Sequence, residues 1–206
     1  MSSTGRGYVR HESDYYVTPQ KHITKFLTKF DEVEPGIDLK TSLVLDPCAG
    51  GDNTHPMSYP AALYDYGVKK SIFTVDVRPD SAAAIKTDFL LNFYPIVYFD
   101  AVISNPPFSK AMEFVTKSLL CVRPGGFVCF LLRVNFFGSD KRHDWFEKHT
   151  PKYSFVHSNR PGFLTKEQKL KIKELTGKTP SNDSSEYSHI VWQKGYNPDY
   201  TIQYII

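Results

Sequence analysis

After Pro19, the apolar residues Ile23, Phe26, Leu27 and Phe30 fall at i, i+3, i+4 and i+7. This is the stripe of an amphipathic helix, with proline suited to its first turn and Lys21, Lys25 and Lys29 turned to water. The pattern then changes. Residues 42–45 are a short continuous apolar run that ends at Asp46-Pro-Cys-Ala-Gly-Gly, and residues 71–75 are a second run, stopped by Asp76. A third run, 100–104, ends at Asn105-Pro-Pro-Phe108, and a fourth covers 127–132. Such runs read as strands buried on both faces. Between the last two, residues 111–122 read as a helix closed by Pro124-Gly-Gly. Strands alternating with helices at this spacing predict a mostly parallel sheet covered on both sides. Beyond Arg133 the pattern loosens. Residues 140–148 read as a helix carrying Trp145 and Phe146, 153–157 and 186–192 as strands, and 200–206 as an alternating edge strand or arm.

Length and composition narrow the class. At 206 residues, one large domain is expected over residues 15–206, preceded by a polar, flexible N-terminal arm, 1–14. No internal repeat is found. A hydrophobic share of 41% with 12 Gly and 14 Pro excludes disordered and collagen-like chains. No apolar run approaches the ~20 residues of a membrane span, and no secretory leader is read at the N-terminus, so a soluble intracellular protein is expected. Cys48, Cys121 and Cys129 show no C-x-x-C spacing, and the seven histidines show neither H-x-E nor H-E-x-x-H. Neither a disulfide framework nor a metal site is expected. The net charge of +3 permits a polyanionic partner without requiring one. Positive charge gathers in a basic insertion at about 159–186, where Thr165-x-x-Gln168 is suited to box the start of a short helix and Gly177 to end it.

Candidate chemistry lies at the strand ends, where parallel sheets collect their ligands: Asp46, Asp76 and Asn105. The glycine loop after the first strand lets backbone pass close to a ligand. It lacks the Gly-Lys-Ser/Thr of a phosphate loop and the full G-x-G-x-x-G of dinucleotide sites. Asp76, in Val-Asp-Val, suits ribose hydroxyls. A ribose-bearing cofactor without a cradled phosphate points to S-adenosylmethionine. Asn105-Pro-Pro-Phe108 is the sharper signal. The lone pair of an adenine amine is delocalised into its ring, and no side chain near neutral pH usefully deprotonates that amine. Two acceptors, the Asn105 carboxamide oxygen and the Pro106 carbonyl, would localise the lone pair and aim it for in-line transfer. Proline rigidity would hold the acceptors and Phe108 would stack the base. Pro47-Cys48 resembles the nucleophilic pair of cytosine C5 methyltransferases, but it follows the first strand rather than the catalytic one, so Cys48 is read as loop packing.

At these residues the chain resembles the class I S-adenosylmethionine-dependent methyltransferases, and within them the amino-group enzymes with a [DNS]-P-P-[YFW] motif, chiefly DNA N6-adenine methyltransferases. The resemblance runs from about Tyr15 to Lys194 in a gamma-like motif order. Later segments look like those of small phage-encoded members: Arg133-Val-Asn-Phe-Phe-Gly, Arg160-Pro-Gly-Phe163 and Glu186-Tyr-Ser-His-Ile-Val-Trp192. The resemblance implies a Rossmann-like α/β fold with a seven-stranded, mostly parallel sheet, and S-adenosylmethionine as cofactor. Cofactor contacts are implied for Tyr16, Thr18 and Pro19, for Asp46, Pro47, Cys48, Ala49 and Gly50, and for Asp76, Val77, Asp88, Phe89 and Asn105. The implied catalytic residues are Asn105, Pro106, Pro107 and Phe108, with adenine N6 in DNA as target. Where the family often has another glycine after the loop pair, this chain has Asp52-Asn53. A duplex target would have to be flipped out, with Arg133, Lys141, Arg142 and Arg160 as candidate backbone anchors. An RNA adenine, a protein glutamine amide, or a catalytically idle relative binding nucleic acid or protein stay open as alternatives, as does a homodimer or other protein partner. The resemblance places the protein in the cytoplasm of a bacterial or phage-infected cell.

Overall fold

The structure is a computed structural model describing residues 17–92, 97–164, 169–170, 173–175, 177, 179 and 185–206. The N-terminal arm with Tyr15 and Tyr16, the helix start at Thr165–Gln168, and Lys166, Lys171 and Lys178 lie outside the described residues.

The amphipathic stripe forms helix α1, Gln20–Val33, which buries Ile23, Phe26, Leu27 and Phe30 together with His22. Strands β1 (Val44–Asp46), β2 (Ile72–Asp76) and β4 (Phe99–Ser104) occupy the first three apolar runs, each ending within a residue of its predicted stop. They join β3 (Ile85–Lys86), β5 (Val122–Arg133), β6 (Tyr153–Val156), β7 (Tyr187–Gln193) and β8 (Ile202–Ile205). The eight strands make one sheet in the order β3-β2-β1-β4-β5-β7-β6-β8. Every pairing is parallel except those of β7, which runs antiparallel to both β5 and β6. The predicted count of seven strands is therefore corrected to eight: the tail joins the sheet as β8 beside β6, in line with its alternation, and the two-residue β3, not read in the sequence, pairs with β2.

Alternation along the strands divides the core between two faces. On one, α1 and α2 (Ser58–Tyr66) pack Phe26, Phe30, Tyr59 and Leu63 against Ala101, Phe127, Cys129 and Phe155. On the other, α3 (Ala111–Cys121) and the segment ending in α4 (His143–Lys148) cover Val102, Val128, Phe130 and Trp192. Both faces are thus sealed by helices, as a parallel sheet requires.

Two expectations shift, and a third is met. The Pro124-Gly-Gly punctuation lies within β5: pairing with β4 begins at Phe99↔Val122 and resumes at Ala101↔Phe127, so the extra residues form an irregularity in the ladder. Gly126 is needed there, since a Cβ would sit 2.9 Å from the Asp100 and Arg123 carbonyl oxygens. The helix expected over 140–148 divides into a 3-10 turn, Asp140–Arg142, and the short α4. In the basic insertion, positions 169–170 and 173–175 are helical, and Gly177, at φ 70°, donates its N–H to the Lys173 carbonyl, as expected of a helix end. No helix among the described residues is long and apolar enough to cross a membrane.

Candidate active site

The strand order reverses between β1 and β4, and the crevice at such a point is where open α/β sheets bind ligands. Asp46, Asp76 and Ser104 end β1, β2 and β4 on that edge, with Asn105 following Ser104. The loop after β1 turns on two glycines in the left-handed region, Gly50 at φ 62° and Gly51 at φ 70°. Residues with a Cβ resist this conformation. The loop is tied to β2: Ala49 N–H donates to the Val75 carbonyl at 2.9 Å and Gly50 N–H to Asp76 Oδ2 at 2.8 Å. Arg78 closes the arrangement. Its backbone N–H donates to Asp76 Oδ1 at 2.9 Å, and its buried guanidinium donates to the Gly51 carbonyl at 2.7 Å. Asp76 is thereby fixed at the cavity wall, and each oxygen keeps capacity for a further donor.

One end of the cavity is lined by Asp76, Val77, Asp88 and Phe89, and Val77 is 58% exposed there. Asp88 is held by the Leu90 N–H at 2.8 Å, and the Phe89 ring stacks on Phe114 at 5.5 Å. A flat group between apolar side chains, flanked by two carboxylates, suits this end. The floor is Pro47, Cys48, Ala49 and Gly50. Burial pushes the Cys48 thiol well above its usual range, which leaves it a poor nucleophile. At the other end stand Thr18, Asn105 and Pro107. Asn105 Nδ2 donates to Thr18 Oγ1 at 3.1 Å, while its Oδ1 is buried without a donor. An acceptor left open beside a cavity is costly unless a ligand completes it.

Not every expected contact lies in the cavity. Asp46 is fully buried behind the lining, where Oδ1 accepts from the Ser104 hydroxyl at 2.5 Å and the Cys48 N–H at 3.1 Å, while Oδ2 has no partner. Burial raises its carboxyl to about 7. Pro19 precedes α1 and does not line the cavity, and Pro106 is buried and does not line it either, although Pro107 does. Asp52 is turned into its own loop, where Oδ1 accepts from Thr54 N–H, the Thr54 hydroxyl and His55 N–H. The Thr54 hydroxyl foremost holds its carboxyl well below the usual range. The residue standing where a glycine is common thus builds the turn and does not line the cavity.

Phe108, expected as a stacking platform, is half-buried against the core and does not line the cavity; its ring is tilted against Tyr187 at 5.7 Å with the Arg133 guanidinium 5.2 Å away. The other candidate anchors are dispersed. Arg142 donates to the Phe136 carbonyl at 2.7 Å and the Asn135 carbonyl at 3.2 Å, Arg160 pairs with Glu186 at 2.5 Å, and Lys141 is exposed. Ser58, Tyr59, Arg78, Lys110 and Phe114 line the cavity without having been expected. The signal for Ser58 and Tyr59 was a helix start with Pro60 in its first turn and Gly67 at its end. Among the described residues, His143, Asp144 and Glu147 form a group of metal-type side chains, all exposed and none lining this cavity.

No protein-family model and no curated protein sequence matches the chain. Solved structures do. A Listeria monocytogenes protein described as a class I S-adenosylmethionine-dependent methyltransferase superposes with a TM-score of 0.63 at 14% identity, over 97% of this chain and 68% of its own. An Agrobacterium tumefaciens protein described as an O-methyltransferase does so at 0.53 and 13%, over 82% and 79%. A Lactococcus lactis protein described as a hemolysin reaches 0.56 at 9% identity, over 93% and 94%. The chain therefore has the Rossmann-like fold of class I methyltransferases. Since a protein described as a hemolysin shares it, function has to be argued from the site.

Proposed function

We propose that the protein is an S-adenosylmethionine-dependent methyltransferase acting on the exocyclic N6 amine of adenine in DNA. The observation that carries this reading is the Asn105 carboxamide: in a residue that lines the cavity, it is anchored through Nδ2 on Thr18 and keeps a buried Oδ1 without a partner. The residues present fit the cofactor. Asp76 would take the ribose hydroxyls, Asp88 the adenine amine, Val77 and Phe89 the ring, and the Gly50 loop the methionine end. When bound, the cofactor supplies an electrophilic methyl group on a sulfonium.

The chain's own task is to make a poor nucleophile attack. Asn105 Oδ1 and, once the buried Pro106 backbone turns toward the cavity, the Pro106 carbonyl would accept the two N–H bonds of the target amine, drawing its lone pair out of conjugation. Pro106 and Pro107 restrict the backbone that carries these acceptors. Phe108 provides the stacking platform for the base. Among the described residues Arg142 and Arg160 are engaged within the chain, which favours a target whose base is already accessible or easily flipped.

The test is transfer of a labelled methyl group to unmethylated DNA, followed by digestion to nucleosides. The expected product is N6-methyladenine. Asn105→Ala should lower the rate by about 10²–10³-fold, the scale of losing one positioned polar group, with cofactor affinity by calorimetry nearly unchanged. Label recovered in RNA or in glutamine would overturn the DNA assignment. Absence of cofactor binding would overturn the methyltransferase reading itself.

A further inference from the structure

The sheet has two edges, β3 and β8. An edge strand carries unpaired N–H and C=O groups, and folded chains blunt it by shortness, lysine, proline or a bulge. β3 is blunted: it is two residues long and ends in Lys86, whose ammonium donates to the Pro79 carbonyl at 2.8 Å. β8 is not. Residues 200–206, Tyr-Thr-Ile-Gln-Tyr-Ile-Ile, hold no charged side chain and no proline, and β8 pairs with β6 without a shift of register. Its inner bonds fall on alternate residues: the Ile202 N–H donates to the Lys152 carbonyl at 3.1 Å and the Ile206 N–H to the Val156 carbonyl at 2.8 Å. Thr201, Gln203 and Ile205 therefore turn their N–H and C=O groups outward. Ile202 is 39% exposed and Ile205 65%. Among the described residues no strand pairs with this outer side.

We propose that the outer side of β8 is a dimer interface, on which β8 of a second copy of this chain pairs antiparallel about a two-fold axis at Gln203. The occupant has to be a strand, because the groups on offer are main-chain donors and acceptors at ladder spacing. It also has to be uncharged and to bring a free edge of its own. β8 meets both needs, whereas β3 is too short and carries Lys86. Pairing of β8 with β3 would run head to tail without closing, while β8 on β8 closes at two copies. Charge permits the approach: beside the edge, Lys29 of α1 lies over the Tyr204 ring at 5.6 Å and pairs with Glu32 at 2.7 Å, so the flank is neutral and repels no second copy. Centred on Gln203, the register sets Thr201 opposite Ile205 and Ile202 opposite Tyr204, the β-branched and aromatic pairs that stabilise neighbouring strands. The two sheets become continuous. Since β8 runs in the direction of β4 and β5, the two crevices open toward opposite sides of the joined sheet and neither is covered.

Sedimentation equilibrium of the full chain tests this without reference to activity. At about 100 μM the parent protein should have twice the 23.6 kDa of one chain. Gln203→Pro removes an outward N–H and leaves the bonds to β6 in place, since proline is tolerated on an edge strand whose nitrogen faces outward. It should raise the dissociation constant at least about tenfold. Gln203→Ala keeps the N–H and should stay within about threefold of the parent, which separates main-chain pairing from a side-chain contact. Ile205→Lys, which blunts the same edge by charge, should weaken the dimer as the proline does and guards against a proline variant that fails to fold. A parent protein that stays at 23.6 kDa, or that assembles beyond two copies, overturns the proposal. So does a dimer that survives in the folded proline or lysine variant, because another surface then holds it.

Discussion

Two carbonyl-type oxygens near the cavity are buried without donors, Asn105 Oδ1 and Asp46 Oδ2, and they differ in how the deficit is met. The first belongs to a residue that lines the cavity, where the proposed target amine would supply the missing donor. The second lies behind the lining, and a proton meets its need: burial raises the Asp46 carboxyl to about 7 against the bonds from Ser104 and Cys48. The unfolded chain would release that proton near 4. Stability from this group is therefore full below about pH 4 and is lost as pH rises through 7. Asp46→Asn keeps the shape and removes the titration. It should be more stable than the parent at pH 8, by up to ~4 kcal/mol, with the advantage shrinking toward pH 4. Urea denaturation at several pH values reads this directly, and equal stability at pH 8 would mean that the charged carboxylate is compensated in place.

At the scale of elements, the loop after β1 depends on a backbone shape and on a close approach. A Cβ on Gly51 would meet Met57 Cγ at 2.8 Å and the Met57 nitrogen at 3.0 Å, with φ already at 70°. Gly51→Ala should cost about 2–4 kcal/mol from left-handed strain plus overpacking, read as a fall in Tm, and should weaken cofactor binding by moving the Gly50 N–H off Asp76. A variant of parental stability and affinity would show the loop to be soft. Elements of this kind are legible in a sequence because they are local: buried runs such as those containing Val44, Val75 and Val102 stop at a polar residue, and the stop marks the site. The second helix is not announced in this way, since its burial of Tyr59, Pro60, Ala62 and Leu63 makes no regular stripe. Nor could the strand ladder's irregularity at Pro124-Gly-Gly be told from a turn without knowing that Val122 pairs with Phe99. Thr18 and Asn105 were both candidates, but their mutual bond spans 87 positions and fixes which way the carboxamide faces.

Across the whole molecule, three of the seven histidines that look scattered in the sequence meet. His22 from α1, His157 beyond β6 and His189 from β7 are buried in contact, with His157 Nε2 and His189 Nδ1 2.8 Å apart and His189 Nε2 2.9 Å from the Tyr59 hydroxyl. Phe26 stacks on His189 at 4.2 Å, so the cluster joins α1 and α2 to the sheet. Burial lowers the affinity of all three for protons, taking His157 down to about 3 and His189 well below its usual range; Lys25 adds to the effect on His22 and His157. They are neutral in the fold and free to charge when it opens. Their contribution is complete above about pH 6.5 and is lost as pH falls toward the folded values, at up to about 1.4 kcal/mol per pH unit for each histidine. Asp46 runs the other way between about pH 4 and 7 and offsets about one histidine in that window. The parent protein should therefore lose stability modestly between pH 6.5 and 5, and Asp46→Asn should lose it more steeply. Adding His157→Gln to Asp46→Asn should flatten the slope again. Denaturation midpoints across that range decide the matter: a flat profile in Asp46→Asn would mean that the imidazoles take up protons within the folded core.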